Sequence, residues 1–158
     1  LHLLGLNAAL GGGRILVQDA PSFEGGTLAQ ALDDFNSGRY VQAVGVFERL
    51  ARQGCVSALY YLAICARDNL GGNSIAYSEA DVMLFMGEAA AKGSVVAQFF
   101  LGCALYSGFY VAQGAVHHVE ENRELGLSYI RKSAASDETR QKEGFPPAKA
   151  WLRENGFA

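Results

Sequence analysis

Apolar residues recur at helical spacing along most of the chain. After Thr27, a candidate N-cap, they follow the i, i+3, i+4, i+7 order of amphipathic helices. Glycines and a proline interrupt this order and mark the ends of the segments. The pattern predicts seven helices, over residues 28–35, 40–54, 56–67, 79–92, 95–106, 120–136 and 147–155. No strand-like alternation stands out after residue 26, so the body of the chain is predicted to be all-α.

The N-terminal segment, residues 1–26, has a different composition. Six of the 19 glycines fall there, and residues 14–18 are a candidate short strand. The leucine-rich residues 1–10 are either the tail of a secretory signal or an extension that packs its leucines on the domain. We therefore expect an irregular N-terminal extension over 1–26 and a helical domain over 27–158.

The predicted helices form pairs that resemble one another. The interval from Ala58 to Ala97 equals the interval from Ala51 to Ala90. The interval from Ala97 to Ala148 is longer, and its additional residues fall in predicted loops. One shared period with insertions confined to loops is typical of helical-repeat arrays. The sequence predicts an α-solenoid of about three antiparallel helix pairs.

The repeat resembles that of Sel-one-like repeat proteins, which are relatives of the tetratricopeptide repeat. Small and apolar residues at the family's positions carry the resemblance, namely Ala58, Leu62, Ala89, Ala90, Gly93, Ala97, Leu101, Gly102, Gly108, Val111, Leu127, Tyr129, Ile130, Ala134 and Ala135. It covers residues 27–155. The resemblance implies a non-catalytic adaptor that holds a protein partner in the groove formed by the first helix of each pair.

One position of that groove is aromatic in three repeats. It is occupied by Tyr61, Phe100 and Trp151, which would form a row on one side of the solenoid. Aromatic side chains are common anchors of protein interfaces. The neighbouring groove positions complete the predicted partner site, with Leu59, Gln98, Cys103, Tyr106 and Lys149. The alternative is that the N-terminal leucines cover the row within the same chain.

Charge and hydropathy narrow the class of partner. The net charge is -3 and only 18% of residues are charged, so an extended nucleic-acid surface is not expected. No apolar run is long enough to span a membrane. Because bacterial exported proteins often use this repeat, the resemblance implies an envelope adaptor, or an immunity protein that neutralises a secreted toxin. The bacterial periplasm is then favoured over the cytoplasm.

Catalytic chemistry has little support in the sequence. The chain has three cysteines, Cys55, Cys65 and Cys103, and their spacing is not that of zinc ligands. Because their number is odd, they are either small buried hydrophobes or include one disulfide between Cys65 and Cys103. His117, His118 and Glu121 form the one ligand-rich cluster, and His117 and Glu121 would share a face if this segment were helical. A metal-dependent or hydrolytic enzyme using them is the alternative function. We expect no catalytic site, metal or cofactor.

Overall fold

The computed structural model describes residues 27–135 and 144–157. Within these ranges it contains seven α-helices: α1 (Leu28–Asn36), α2 (Tyr40–Arg52), α3 (Val56–Asp68), α4 (Glu79–Ala91), α5 (Val95–Ser107), α6 (Arg123–Ala134) and α7 (Pro146–Glu154). A short 3-10 helix (Gly72–Ser74) precedes α4. A hairpin of β1 (Phe109–Ala112) and β2 (Ala115–His118) separates α5 from α6. The all-α prediction is confirmed, and the predictions for residues 1–26 lie outside the described residues.

Each helix packs on the helix that precedes it and on the helix that follows it in sequence. Such nearest-neighbour packing is the defining property of a solenoid. The equivalent alanines of three first helices, Ala58, Ala97 and Ala148, are fully buried. Their burial explains the sequence period, since a small side chain at this position lets adjacent helices approach. None of the helices in the described ranges is long and apolar enough to cross a membrane.

The helix boundaries follow local chemistry. Thr27 begins α1 with a capping box, in which the Gln30 amide N–H donates to Thr27 Oγ1 and the Thr27 N–H donates to Gln30 Oε1, both at 3.1 Å. Gly108 ends α5 with a φ of +81°, a left-handed conformation that favours glycine. The predicted start of α6 was wrong: the helix begins at Arg123, because the side chain of Asn122 caps it there.

Helices α5 and α6 cross at two glycines. A Cβ atom added to Gly126 would lie 2.6 Å from the Gly102 carbonyl oxygen and 2.6 Å from the Tyr106 backbone nitrogen. A Cβ added to Gly102 would lie 2.8 Å from the Gly126 carbonyl oxygen. The two backbones are therefore in direct contact, which is possible only without side chains at both positions.

The hairpin is the main departure from the prediction that the body contains no strands. A two-residue turn joins β1 and β2, with φ of +51° at Gln113 and +74° at Gly114. Two positive φ angles are the signature of a type I′ turn, whose twist matches that of paired strands. The Gln-Gly dipeptide was the available signal, but it is weaker than the Asn-Gly usually associated with this turn.

The tip of the hairpin is fixed to the C-terminal end of α3. The Gln113 amide N–H donates to the Arg67 carbonyl at 2.6 Å, and Gln113 Nε2 lies 3.0 Å from the carbonyl oxygens of Ala66 and Tyr77. The last carbonyls of a helix have no partner within the helix. The hairpin supplies such partners. It is inserted between α5 and α6, the third helix pair, and it thereby connects this pair to α3 of the second pair.

Candidate partner-binding surfaces

The predicted first-helix row is not an exposed surface. Tyr61 and Phe100 are 3% and 7% exposed, and their groove neighbours Leu59 and Gln98 are also buried. Tyr61 stacks on Phe47 with ring centroids 5.3 Å apart, inside the core. As the chain is folded, the four buried residues support the domain and do not present their side chains to a partner.

Two of the buried residues connect adjacent elements. Gln98 Nε2 donates to the Ala90 carbonyl at 3.2 Å, which satisfies a buried amide and joins α5 to α4. Phe100 contacts the ring of Tyr110 on β1, with centroids 6.0 Å apart. Among the described residues no ring contact joins Tyr61, Phe100 and Trp151 to one another. The expected continuous row is divided into separate clusters.

Trp151 belongs to a cluster of three rings at the C-terminal end of the solenoid. Its ring lies 5.0 Å from that of Tyr106 and 6.0 Å, in a stacked arrangement, from that of Phe157. Trp151 and Tyr106 are half-buried, and Phe157 is 36% exposed. We call Tyr106, Trp151 and Phe157 the C-terminal aromatic cluster. The cluster contains two of the predicted partner-binding residues, Tyr106 and Trp151. A third, Lys149, is half-buried and lies on α7 with Trp151.

Two arginines lie over this cluster. The Arg123 Cζ atom is 5.2 Å from the ring centroid of Tyr106, and the Arg131 Cζ atom is 5.9 Å from that of Phe157. Cation–π contacts of this kind hold the guanidinium groups beside the rings. Arg123 also bonds Glu121 Oε1 at 2.8 Å, which raises the pKa of its guanidinium. The surface therefore combines aromatic rings with positive charge.

Sequence reasoning missed Phe157 and both arginines. Phe157 is brought back onto the cluster because Gly156 has a φ of +80° and the Phe157 N–H donates to the Leu152 carbonyl at 2.8 Å. This is the bonding of a Schellman motif. The glycine that follows α7 was the available signal, since such a glycine often reverses the chain onto the last turn of its helix.

The histidine cluster does not have the geometry of a metal site. His117 and His118 are consecutive strand residues, so their side chains point to opposite faces of the hairpin. His117 Nε2 lies 3.0 Å from the Ala112 carbonyl oxygen, and Glu121 is engaged by Arg123. His117 lies in a strand, so the condition under which His117 and Glu121 would share a helix face is not met. Within the described residues no group of ligands is placed to hold a metal ion.

The cysteines lack the environment of a reactive thiol. Cys55, Cys65 and Cys103 are free thiols, so the Cys65–Cys103 pair is absent. Burial raises the pKa of the Cys65 and Cys103 thiols to about 12. A thiol acts as a nucleophile only as the thiolate, and a raised pKa suppresses that form. Cys103, a predicted partner-binding residue, instead lines a groove beside the hairpin.

This groove has a volume of about 630 Å³ and lies between the hairpin and helices α3 and α5. Its walls include Arg67, Asp68, Phe100 and Cys103. Arg67 is 7% exposed and forms a bidentate ion pair with Asp68, at 2.8 Å from Nε and 2.7 Å from Nη2. The pair neutralises a buried cation that would otherwise be costly to desolvate.

The architecture defines a class: an all-α solenoid of antiparallel helix pairs. Over 114 residues the chain is 28% identical to "Protein sel-1 homolog 2" of Mus musculus, and equally to that of Rattus norvegicus. The match covers 71% of this chain and 15% of each relative, so the chain spans a small part of their length. No family model and no solved structure matches. The repeat and this similarity together support the assignment of a Sel-one-like repeat, and they suggest a protein-interaction module.

Proposed function

We propose that the chain is a non-catalytic protein-binding module and that the C-terminal aromatic cluster contacts its partner. The observation that carries the proposal is the association of Tyr106, Trp151 and Phe157 with Arg123 and Arg131 on an accessible surface. Trp, Tyr and Arg are the residue types that dominate the binding energy of interfaces. Lys149 is the further predicted contact at this end of the solenoid.

The charges beside the rings indicate the chemistry of the partner. Arg131 has no ion pair among the described residues, and the one partner of Arg123 is an exposed carboxylate. A partner surface that combines apolar and acidic side chains would fit both the rings and the guanidinium groups. Within this function we propose two classes of partner. One is an envelope protein, and the other is a secreted toxin that the chain neutralises in the bacterial periplasm.

The test is Trp151→Ala, with Leu84→Ala as its matched control. Leu84 is 56% exposed on α4, so its truncation removes a surface hydrophobe away from the cluster. Truncation of an interface anchor costs about 2 kcal/mol or more, which corresponds to roughly 30-fold in affinity. We expect Trp151→Ala to lose the partner recovered by affinity purification with the unmodified chain, while Leu84→Ala retains it.

Circular dichroism separates loss of binding from loss of fold. Tyr61→Ala is unsuitable for this test because its ring is in the core, where truncation of an aromatic side chain costs about 3–5 kcal/mol. Normal binding by a folded Trp151→Ala chain would contradict the proposal, as would equal losses in Trp151→Ala and Leu84→Ala.

A further inference from the structure

The hairpin presents a strand edge that no described residue pairs with. We propose that β1 accepts an extended, apolar peptide strand of a protein partner, which lies along the groove between the hairpin and helices α3 and α5. This site is separate from the C-terminal aromatic cluster and goes beyond the function proposed for it. The register of the hairpin, the residues that border the groove and the hydrogen-bond donors that face it each support this site.

The register shows which backbone groups are free. The Val119 N–H donates to the Gly108 carbonyl at 3.0 Å, so residues 108 and 119 form a hydrogen-bonded pair. Ala112 and Ala115 flank the two-residue turn and form another such pair. Hydrogen-bonded and non-hydrogen-bonded pairs alternate along an antiparallel ladder. The residues at positions 109 and 111 of β1 are therefore at non-hydrogen-bonded positions. Their N–H and C=O groups point away from β2, where a further strand would pair.

That free edge borders the groove. Residues 109–112 of β1 line the groove together with the turn, whereas no residue of β2 does. The side chains of Tyr110 and Ala112 are buried against the helices, and those of Phe109 and Val111 are 44% and 53% exposed. A strand added to β1 would thus extend a sheet whose inner face is already anchored to the domain.

The surroundings select the chemistry of the added strand. Phe100, Cys103 and Ala104 form an apolar wall on the helix side, so alternate side chains of the peptide would contact a nonpolar surface. Its other side chains would lie beside Phe109 and Val111. The peptide is therefore apolar on both faces, as is typical of a strand buried on both sides.

Arg67 supplies a donor that matches a peptide backbone. Its Nε and Nη2 atoms bond Asp68, and Nη1 has no hydrogen-bond partner among the described residues. The ion pair leaves the groove without net charge at this point. A neutral carbonyl oxygen of an extended peptide therefore complements Nη1, in the manner of partners that bind by strand addition.

The experiment uses the full chain and a fluorescein-labelled peptide, Lys-Val-Thr-Val-Ile-Val-Lys, measured by fluorescence polarisation. Val111→Pro removes the N–H that points to the groove but leaves the bonds between β1 and β2 intact. Val116→Pro is the matched control, since Val116 pairs with Val111 and its N–H points to the opposite edge of the hairpin. We expect saturable binding by the unmodified chain, weakened about tenfold or more by Val111→Pro and unchanged by Val116→Pro.

Amide hydrogen exchange gives a second measurement that needs no variant. In the unmodified chain the Phe109 and Val111 amides should exchange rapidly and become protected when the peptide is added. Absence of saturable binding, equal binding by both proline variants, or no gain of protection would overturn the proposal. Protection of these amides before peptide is added would also overturn it, because the edge would then be occupied by another part of the chain.

Discussion

The contact between Gly102 and Gly126 predicts that a single methyl group destabilises the domain. In Gly126→Ala the new Cβ would lie 2.6–2.9 Å from backbone atoms of Gly102 and Tyr106. Backbone atoms of a packed helix cannot rotate away as a flexible side chain can. Helices α5 and α6 must therefore move apart, and contacts along their interface are weakened.

Two opposing effects set the magnitude. Replacing glycine by alanine inside a helix stabilises it by about 0.5–1 kcal/mol. Overpacking of a tight interface costs about 1–3 kcal/mol and occasionally more. Because all three nearest atoms at Gly126 belong to backbone, we expect the cost to exceed the gain. The difference between these two effects predicts a net loss of about 1–2 kcal/mol of unfolding free energy.

The chain contains its own controls. Gly45 in α2 and Gly87 in α4 are also helical, and a Cβ at either position would meet nothing within 4 Å. Gly45→Ala and Gly87→Ala should stabilise the chain by about 0.5–1 kcal/mol, since only the helix propensity changes. Urea unfolding followed by circular dichroism measures all three variants. If Gly126→Ala were as stable as Gly87→Ala, the close approach of α5 and α6 would not be a constraint on the fold.

Three further changes test other parts of the structure by the same unfolding assay. Thr27→Ala removes the capping box of α1 and should cost about 1 kcal/mol, whereas Thr27→Ser should restore most of it. Gln113→Ala removes the side-chain bonds to the Ala66 and Tyr77 carbonyls and should cost about 1–3 kcal/mol, with faster amide exchange in the hairpin. Burial raises the pKa of the Cys65 thiol from 9.0 to about 12 in the folded chain. As the pH rises, the thiol therefore loses its proton in the unfolded chain before it does so in the folded chain. Stability should therefore fall above pH 9, by about 1–2 kcal/mol at pH 10, and Cys65→Ala should lack this part of the decrease.

The sequence was sufficient for the helices because their determinants are local and repeated. Spacing of apolar residues, the cap at Thr27 and the glycines after several helices each act within a few residues. The shared period reflects packing of Ala58 and Ala97 at equivalent positions, so it reports the solenoid directly. These features needed no knowledge of distant contacts.

The hairpin and the exposed surface could not be predicted from local sequence features. Residues 109–118 contain exposed valines and two histidines, and their strand pairing depends on the anchoring of Gln113 to α3, which lies far earlier in the chain. Likewise, the equivalence of Tyr61, Phe100 and Trp151 in the repeat did not give them equal exposure. Tyr61 is covered by α1 and α2, whereas Trp151 lies near the end of the described helices.

The third helix pair shows how an insertion changes the surface of a repeat array. A solenoid without it would end α3 at unpaired carbonyls and would have a continuous helical face. Insertion of the hairpin provides partners for those carbonyls through Gln113 and covers Phe100 with Tyr110. It also forms one wall of the groove that contains Arg67 and presents the edge of β1. Stabilisation of α3 and formation of the groove therefore have the same structural origin. Gln113→Ala removes the two side-chain bonds at the hairpin tip and keeps the backbone bond to Arg67. It should therefore weaken both stability and strand addition at β1, while leaving the C-terminal aromatic cluster unaffected.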